Sequence, residues 1–387
     1  MNTEDLIKIE DDYFINTFTR QPIVLDHGEG VNVVDIDGNQ YMDMFAGIAV
    51  NALGHNHPKL VEAIQKQAEK LIHISSIYYN EPALVYAKKL VDMTSFDRIF
   101  YANSGAEANE GAIKLAIKYT GKSEVISAVD SFHGRTIMTL AATGHEEYHE
   151  PFKAIMPEGF INVEYNNIDA IKEAVSENTA AIIVEPIQGE GGINVPDENY
   201  LKSVEKLCRE KGIVLIIDEV QTGFGRCGTL FAHELFGIKP DIVTMAKGIG
   251  GGVPMGGILA TEEIASAFVP GDHGTTFGGG PLVAAAANAV LDVIVEDDLL
   301  AHVREVGDYF ISELKKLDKE IIADVRGCGL MVGLELTKPG GEYVDKLREA
   351  GFLINCTADK VLRFVPPLII TKSEIDEFIK ALDEILK

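Results

Sequence analysis

Lys247 stands in Ala246-Lys247-Gly248, directly after the apolar stretch Ile242–Met245, and the apolar run Val214–Ile217 ends in Asp218. A lone amine and a lone carboxylate at the ends of buried strands are costly unless something neutralises both. One small molecule can serve the two together. Pyridoxal 5'-phosphate has an aldehyde that condenses with a lysine amine and a ring nitrogen that needs an anionic partner. The pair therefore points to an enzyme built around that cofactor.

Such a cofactor also needs a seat for its phosphate, and Tyr101–Glu110 offers one. Ser104 is placed to cap a helix, Gly105 lets the backbone come close to a bound group, and the free amides at a helix start favour an anion. An ordinary capped helix would carry the same residues. The segment Ser131–Thr136 supplies Phe132, able to stack on a planar ring, and Arg135, able to grip a carboxylate through two parallel hydrogen bonds. Read in isolation, an arginine in such a loop is more simply a surface arginine. Glu185–Glu190 and Asp218–Gln221 follow two successive apolar runs and gather carboxylates around one crevice. Acids that cap following helices look alike in sequence, but Asp218 comes after four aliphatic residues and needs a cation such as a protonated pyridine. His273–Pro281, with Thr275 and Thr276, is either a further phosphate contact or a flexible turn. The glycines of Gly248–Gly257 let the backbone around Lys247 pack against a ligand.

Three patterns resemble other chemistries. Gly223–Gly228 matches G-x-G-x-x-G but does not open directly from a strand, which argues against a dinucleotide site. His145-Glu146-Glu147-Tyr148-His149 matches the zinc-peptidase spacing H-E-x-x-H, yet Gly144 and Pro151 confine it to under two turns in polar surroundings. His55 and His57 more simply shape the start of a helix. No metal is expected.

The residues above must be held by a sheet. From about Asn51 to Pro281 short apolar runs alternate with helical periods: Arg98–Ala102, Val125–Ala128, Ala180–Val184, Val214–Ile217, Ile242–Met245 and Gly256–Ala260 read as strands. Pro58–Ile72, Glu107–Tyr119, Glu198–Lys211 and Pro281–Val295 read as helices. The runs lack polar alternation, as in strands covered on both faces, and predict a mostly parallel sheet sandwiched by helices with ligands at the C-terminal strand ends. Val31–Phe45 predicts a hairpin with a two-residue turn at Asp37-Gly38. The tail from about Glu296, with short strands Ile322–Val325, Leu330–Leu336 and Val361–Phe364, predicts a smaller α+β domain. The expected division is 1–50, an N-terminal segment joining the small domain; 51–284, the large cofactor-binding domain; and 285–387, the small domain.

The chain has 387 residues and a net charge of −26. A surface so acidic repels nucleic acid and anionic membranes, which excludes both as partners. Four scattered cysteines with no C-x-x-C pair fit a reducing compartment, the N-terminus lacks an apolar signal core, and no apolar stretch is long enough to span a bilayer. A cytoplasmic location is expected.

Together these segments resemble the ornithine/acetylornithine branch of the class III aminotransferases. The likeness runs through Ala46–Val50, Leu53–Pro58, Asn103–Glu110, Ser131–Thr136, Glu185–Glu190, Asp218–Gly225, Ala246–Gly248, His273–Gly279 and Leu362–Pro367, in family order. The resemblance implies a fold type I pyridoxal phosphate enzyme and a homodimer with shared active sites. It implies that Lys247 joins the cofactor and later moves the proton, that Asp218 holds the ring nitrogen, Gln221 the ring oxygen side, and Phe132 the ring face. Ser104, Gly105 and Ala106 would seat the phosphate, with Thr276 of the partner subunit. Arg135 would bind the donor's α-carboxylate near Thr275, and Arg363 that of 2-oxoglutarate, with Glu190 as a gate over Arg363. The implied reaction moves the δ-amino group of N2-acetylornithine to 2-oxoglutarate. Ornithine, succinylornithine, 4-aminobutyrate and carrier-linked lysine are the alternative donors; a zinc peptidase and a non-catalytic cofactor binder are the alternatives of other classes. Phe18 stands where such proteins often have a tyrosine that touches substrate.

Overall fold

The computed structural model describes residues 1–387. Its centre is a seven-stranded sheet in the spatial order Arg98–Ala102, Gly256–Ala260, Ile242–Met245, Val214–Asp218, Thr179–Val184, Glu124–Ala128, Phe160–Val163. From Ile242–Met245 to Phe160–Val163 neighbouring strands run parallel; Gly256–Ala260 is antiparallel to both of its neighbours. The central strands are aliphatic at successive positions because both of their faces are covered. Every residue of Thr179–Val184, Val214–Asp218 and Ile242–Met245 is buried. Helix Gly105–Thr120 lies across Gly256–Ala260, Ile242–Met245 and Thr179–Val184, and helix Tyr200–Lys211 buries Leu201, Val204, Leu207 and Cys208.

The C-terminal part carries a four-stranded antiparallel sheet ordered Ile322–Cys328, Met331–Leu336, Val361–Phe364, Asn355–Thr357. Phe364 meets Phe310 and Phe378 of helices Leu299–Lys315 and Lys372–Ile385, with ring centroids 5.6 and 5.1 Å away. Since side chains alternate along a strand, Arg363 points away from this aromatic core and towards the central sheet.

A third sheet, Leu25–Glu29, Asn32–Asp35 and Gln40–Asp43, is joined in parallel by Phe352–Leu353. It ties the start of the chain to the C-terminal part. The hairpin at Asp37-Gly38 is present, but its loop has three residues instead of two: Asp35 pairs with Asn39 (N to O 3.0 Å) and Gly38 takes φ +87°. The Asp35 carboxylate accepts the amides of Asp37 and Asn39 at 3.0 and 2.8 Å, which favours the longer loop.

Candidate active site

The parallel strands present their chemistry at their C-terminal ends, where such sheets open a crevice. Asp218 is the last residue of its strand and lies opposite Thr244, and Lys247 emerges just past the end of that neighbouring strand. Phe132 and Arg135 follow Glu124–Ala128; Glu185 and Glu190 follow Thr179–Val184. Together they wall a cavity of about 450 Å³. Nine of the residues singled out from the sequence line it: Lys247 and Asp218; Ser104, Gly105 and Ala106; Phe132 and Arg135; Glu190 and Gln221. Arg363 stands behind Glu190. Thr275 lies alongside, its hydroxyl accepting from Asn103 Nδ2 at 2.9 Å. Thr276 is exposed and lines no part of this wall within one chain.

Ser104 caps helix Gly105–Thr120 by accepting the Glu107 amide at 3.2 Å. The amides of Gly105 and Ala106 have no acceptor inside the helix, so a free donor pair faces the cavity. A Cβ on Gly105 would meet Val220 Cγ1 at 2.8 Å, and one on Gly189 would meet the Gln221 side chain at 2.5 Å. Only glycine lets these segments come so close.

Asp218 is 2% exposed. Asn109 Nδ2 and His133 Nδ1 each reach its Oδ2 at 2.7 Å, and the Val220 amide reaches Oδ1 at 2.9 Å. His133 Nε2 is buried without a partner in the protein, an omission that fits a further polar group held at this wall. Lys247 has φ +48°, a conformation side chains other than glycine rarely adopt, and it throws the amine into the cavity. Burial drives the Lys247 ammonium below its ordinary pKa; nearby Glu190 opposes that and Arg363 adds to it. The neutral amine, a nucleophile, is thereby favoured.

Glu190 and Arg363 form an ion pair, Nη1 to Oε1 2.6 Å, with the two side chains 27% and 1% exposed. Arg363 also donates to Asn355 Oδ1 at 3.0 Å and Gln221 Oε1 at 3.3 Å. Burial pushes the Glu190 carboxyl up, but Arg363 and Lys247 more than reverse this and leave it below the usual carboxylate value. Glu185 differs. It accepts only the amides of Phe132 and Gly189, both at 3.1 Å, and burial raises it to about 7.

Glu185 lines the crevice as one of the carboxylates expected there, and Asn109 and His133 also belong to the site although their segments were valued for other members. Asn109 carried a signal: a carboxamide on a helix face otherwise buried by alanine and isoleucine needs a buried partner. The other patterns are structural. His149 Nε2 lies 2.8 and 2.7 Å from the carbonyls of Leu140 and Thr143. Arg226 of Gly223–Gly228 donates Nη1 to the carbonyls of Leu330 and Pro366. Phe18 is 69% exposed and away from the cavity.

Residues 15–386 match the family model of class-III aminotransferases, and the chain belongs to that family. It is 52% identical over 388 residues to the acetylornithine aminotransferase of Methanothermobacter thermautotrophicus, spanning 100% of this chain and 99% of that one. Identity to the acetylornithine aminotransferase of Methanocaldococcus jannaschii is 53% over 396 residues, 100% and 98% of the two chains. Among solved structures, the acetylornithine aminotransferase of Elizabethkingia anophelis superposes with TM-score 0.88 at 35% identity over 100% of this chain and 99% of that one. The ornithine aminotransferase of Toxoplasma gondii, with pyridoxal phosphate at partial occupancy in its active site, gives 0.96 at 33% identity over 100% and 94%. The architecture is that of the fold type I aminotransferases.

Proposed function

We propose that the chain is a pyridoxal phosphate-dependent acetylornithine aminotransferase, which moves the δ-amino group of N2-acetylornithine to 2-oxoglutarate and yields N-acetylglutamate 5-semialdehyde and glutamate. The observation that carries this reading is the covered cation Arg363, paired with Glu190 beside Lys247 and Asp218. Relatives named for this activity share about half of the sequence end to end.

The wall suits the cofactor. Asp218 would hold the ring nitrogen, Gln221 the ring oxygen, Phe132 one ring face, and the Ser104–Ala106 turn the phosphate, joined by Thr276 of the partner subunit. When bound, pyridoxal phosphate supplies an electrophilic aldehyde and a ring that accepts electrons from the reacting carbon. Lys247 would be the amine that holds it and, when free, the base that moves the proton at the reacting carbon. Arg135 holds the donor's α-carboxylate, with Thr275 alongside. The reacting carbon of an ω-amino donor carries no carboxylate, so Glu190 covers Arg363 in that half-reaction. In the other half 2-oxoglutarate brings a carboxylate to the same place, and Glu190 gives way. The semialdehyde, its oxygen taken from water, leaves before 2-oxoglutarate enters, and the amino group would stay with the bound cofactor in between, which makes the scheme ping-pong.

A homodimer is part of the proposal. Ile77, Tyr78, Tyr79 and Phe277 are 81%, 65%, 91% and 63% exposed, and Asn80 Nδ2 donates to the Gly279 carbonyl to join their two segments near Thr276. An exposed apolar face of this kind suits a second copy. No helix is long and apolar enough to cross a membrane; the reaction is proposed to run in the cytoplasm, in arginine biosynthesis. The test is glutamate formation from 2-oxoglutarate with purified protein, cofactor and a panel of acetylornithine, ornithine, succinylornithine and 4-aminobutyrate. Acetylornithine is expected to give the highest kcat/KM. Preference for 4-aminobutyrate would overturn the donor, and no glutamate from any of them would overturn the activity.

A further inference from the structure

The segment His145–His149 has no part in the reaction as described, yet it reaches the cavity wall. The guanidinium carbon of Arg135 lies 3.7 Å from the centroid of the Tyr148 ring and 5.5 Å from that of Phe132. The two rings meet at 87° with centroids 6.5 Å apart, so Arg135 sits in an aromatic corner. Its surroundings differ from those of Arg363, which is gripped by Glu190, Asn355 and Gln221. No carboxylate or carbonyl of the chain takes up the Arg135 donors. A ring face restrains a guanidinium from one side and leaves its planar edge of N–H groups open for a carboxylate.

Tyr148 is itself held in place. The His145 ring lies against it at 5.1 Å, His145 Nδ1 pairs with Glu147 at 3.2 Å, and His149 is anchored on the carbonyls of Leu140 and Thr143. The histidine spacing that resembles a zinc motif is an arm that carries an aromatic ring.

We propose that Tyr148 is a positioning residue that presets Arg135 for the carboxylate remote from the reacting carbon, in the amino donor and in 2-oxoglutarate alike. The proposal rests on the reading of Arg135 given above. Restraining a long cationic side chain before binding reduces the freedom it loses on binding, which acts on KM and not on the chemistry at the reacting carbon.

The test compares Tyr148→Leu, which removes the ring, with Tyr148→Phe, which keeps it, in the cofactor-loaded enzyme. Kinetics are measured for acetylornithine, for 2-oxoglutarate and for 1-aminobutane, an amine with no carboxylate. Arg135 is exposed, so Tyr148→Leu is expected to raise KM for both acids about two- to fivefold, the scale of a cation–π contact at an exposed site, with kcat unchanged. Its kcat/KM for 1-aminobutane stays at the parent's value, and Tyr148→Phe recovers the affinity for both acids. Unmoved KM values in Tyr148→Leu would overturn the proposal, as would an equal loss on 1-aminobutane or a loss in Tyr148→Phe as large as in the leucine variant. The parent is run on the same panel. If it uses 2-oxoglutarate and glutamate but not acetylornithine, the donor assignment fails and the Tyr148 comparison stands on those two acids. If it transfers no amine at all, both readings fall.

Discussion

Replacing Glu190 by glutamine tests the gate most directly. The variant keeps the shape of the side chain and removes the charge that covers Arg363. The pair is 2.6 Å long, its arginine is 1% exposed and its acid 27%, which sets it apart from surface ion pairs of small value. A charge-assisted hydrogen bond in such a setting contributes about 1.5–3 kcal/mol, equivalent to roughly 10- to 150-fold in an equilibrium. In the parent, an α-carboxylate must break this bond to reach Arg363, whereas an ω-amino donor leaves it intact. Glu190→Gln therefore raises kcat/KM for glutamate and lowers it for acetylornithine, and because glutamine still accepts a hydrogen bond the ratio is expected to move by about tenfold, the lower end of that range. Ping-pong kinetics yield each kcat/KM independently of the second substrate, so the ratio comes from two steady-state series. Since Arg363 and Lys247 hold the Glu190 carboxyl below its usual value, the parent's gate stays charged through the neutral range and its ratio is expected to be flat from pH 6 to 9. A ratio that moves less than about threefold in the variant would refute the gate, because even the weakest bond of this class is worth more.

Asp218→Asn keeps an acceptor for Asn109 and His133 but no charge for the ring nitrogen; kcat is expected to fall by at least about a hundredfold, measured at saturating cofactor to separate binding from turnover. Glu185→Gln addresses stability. Its carboxyl is raised by burial to about 7 from 4.5, so the folded state binds that proton more tightly than the unfolded state does. Stability from this group is therefore present below about pH 4.5 and is lost as pH rises through 7, by at most about 3 kcal/mol over the window. Glutamine does not titrate, so the variant should gain on the parent between pH 5 and 8 in urea or thermal melts, and parallel curves would exclude the raised carboxyl.

The central strands were legible because both of their faces are buried, which leaves unbroken aliphatic runs in the sequence. Phe160–Val163 was not: it is the edge strand, all of its residues are only half-buried, and Asn162 interrupts its apolar run to reach Ser127 Oγ at 2.7 Å. The reversed direction of Gly256–Ala260 leaves no mark on composition, since a strand covered on both faces is apolar in either sense. Helix Gly105–Thr120 begins two residues before its first glutamate because Ser104 caps it. In the site, residues with an evident chemical oddity, such as Lys247 and Asp218 after aliphatic runs, were readable one at a time. His133, Asn109 and Tyr148 act only through partners distant in sequence. Their spacing along the chain carries no trace of Asp218, 85 and 109 residues from the first two, or of the ring-to-guanidinium contact.

The net charge of −26 gives no hint that this chain takes up a dianion; the balance inside the cavity explains how it can. Arg135, Lys247 and Arg363 face Asp218, Glu185 and Glu190, and the three acids are not equivalent. Asp218 is engaged by an amide, a carboxamide and an imidazole, and displacing it would strand all three donors in a buried place. Glu185 has two backbone amides and a carboxyl that burial pushes to about 7, so it offers no fixed charge to trade. Glu190 alone is held by a cation that a substrate can claim. An α-carboxylate that takes its place restores to Arg363 the charge just removed, so the buried charge is the same before and after, and the arginine is never left unpaired. Arg135 needs no such exchange, because ring faces hold it and no acid covers it. One arginine that is always open and one that is covered on demand are the smallest set that lets a single cavity accept an ω-amino acid and an α-keto diacid in turn.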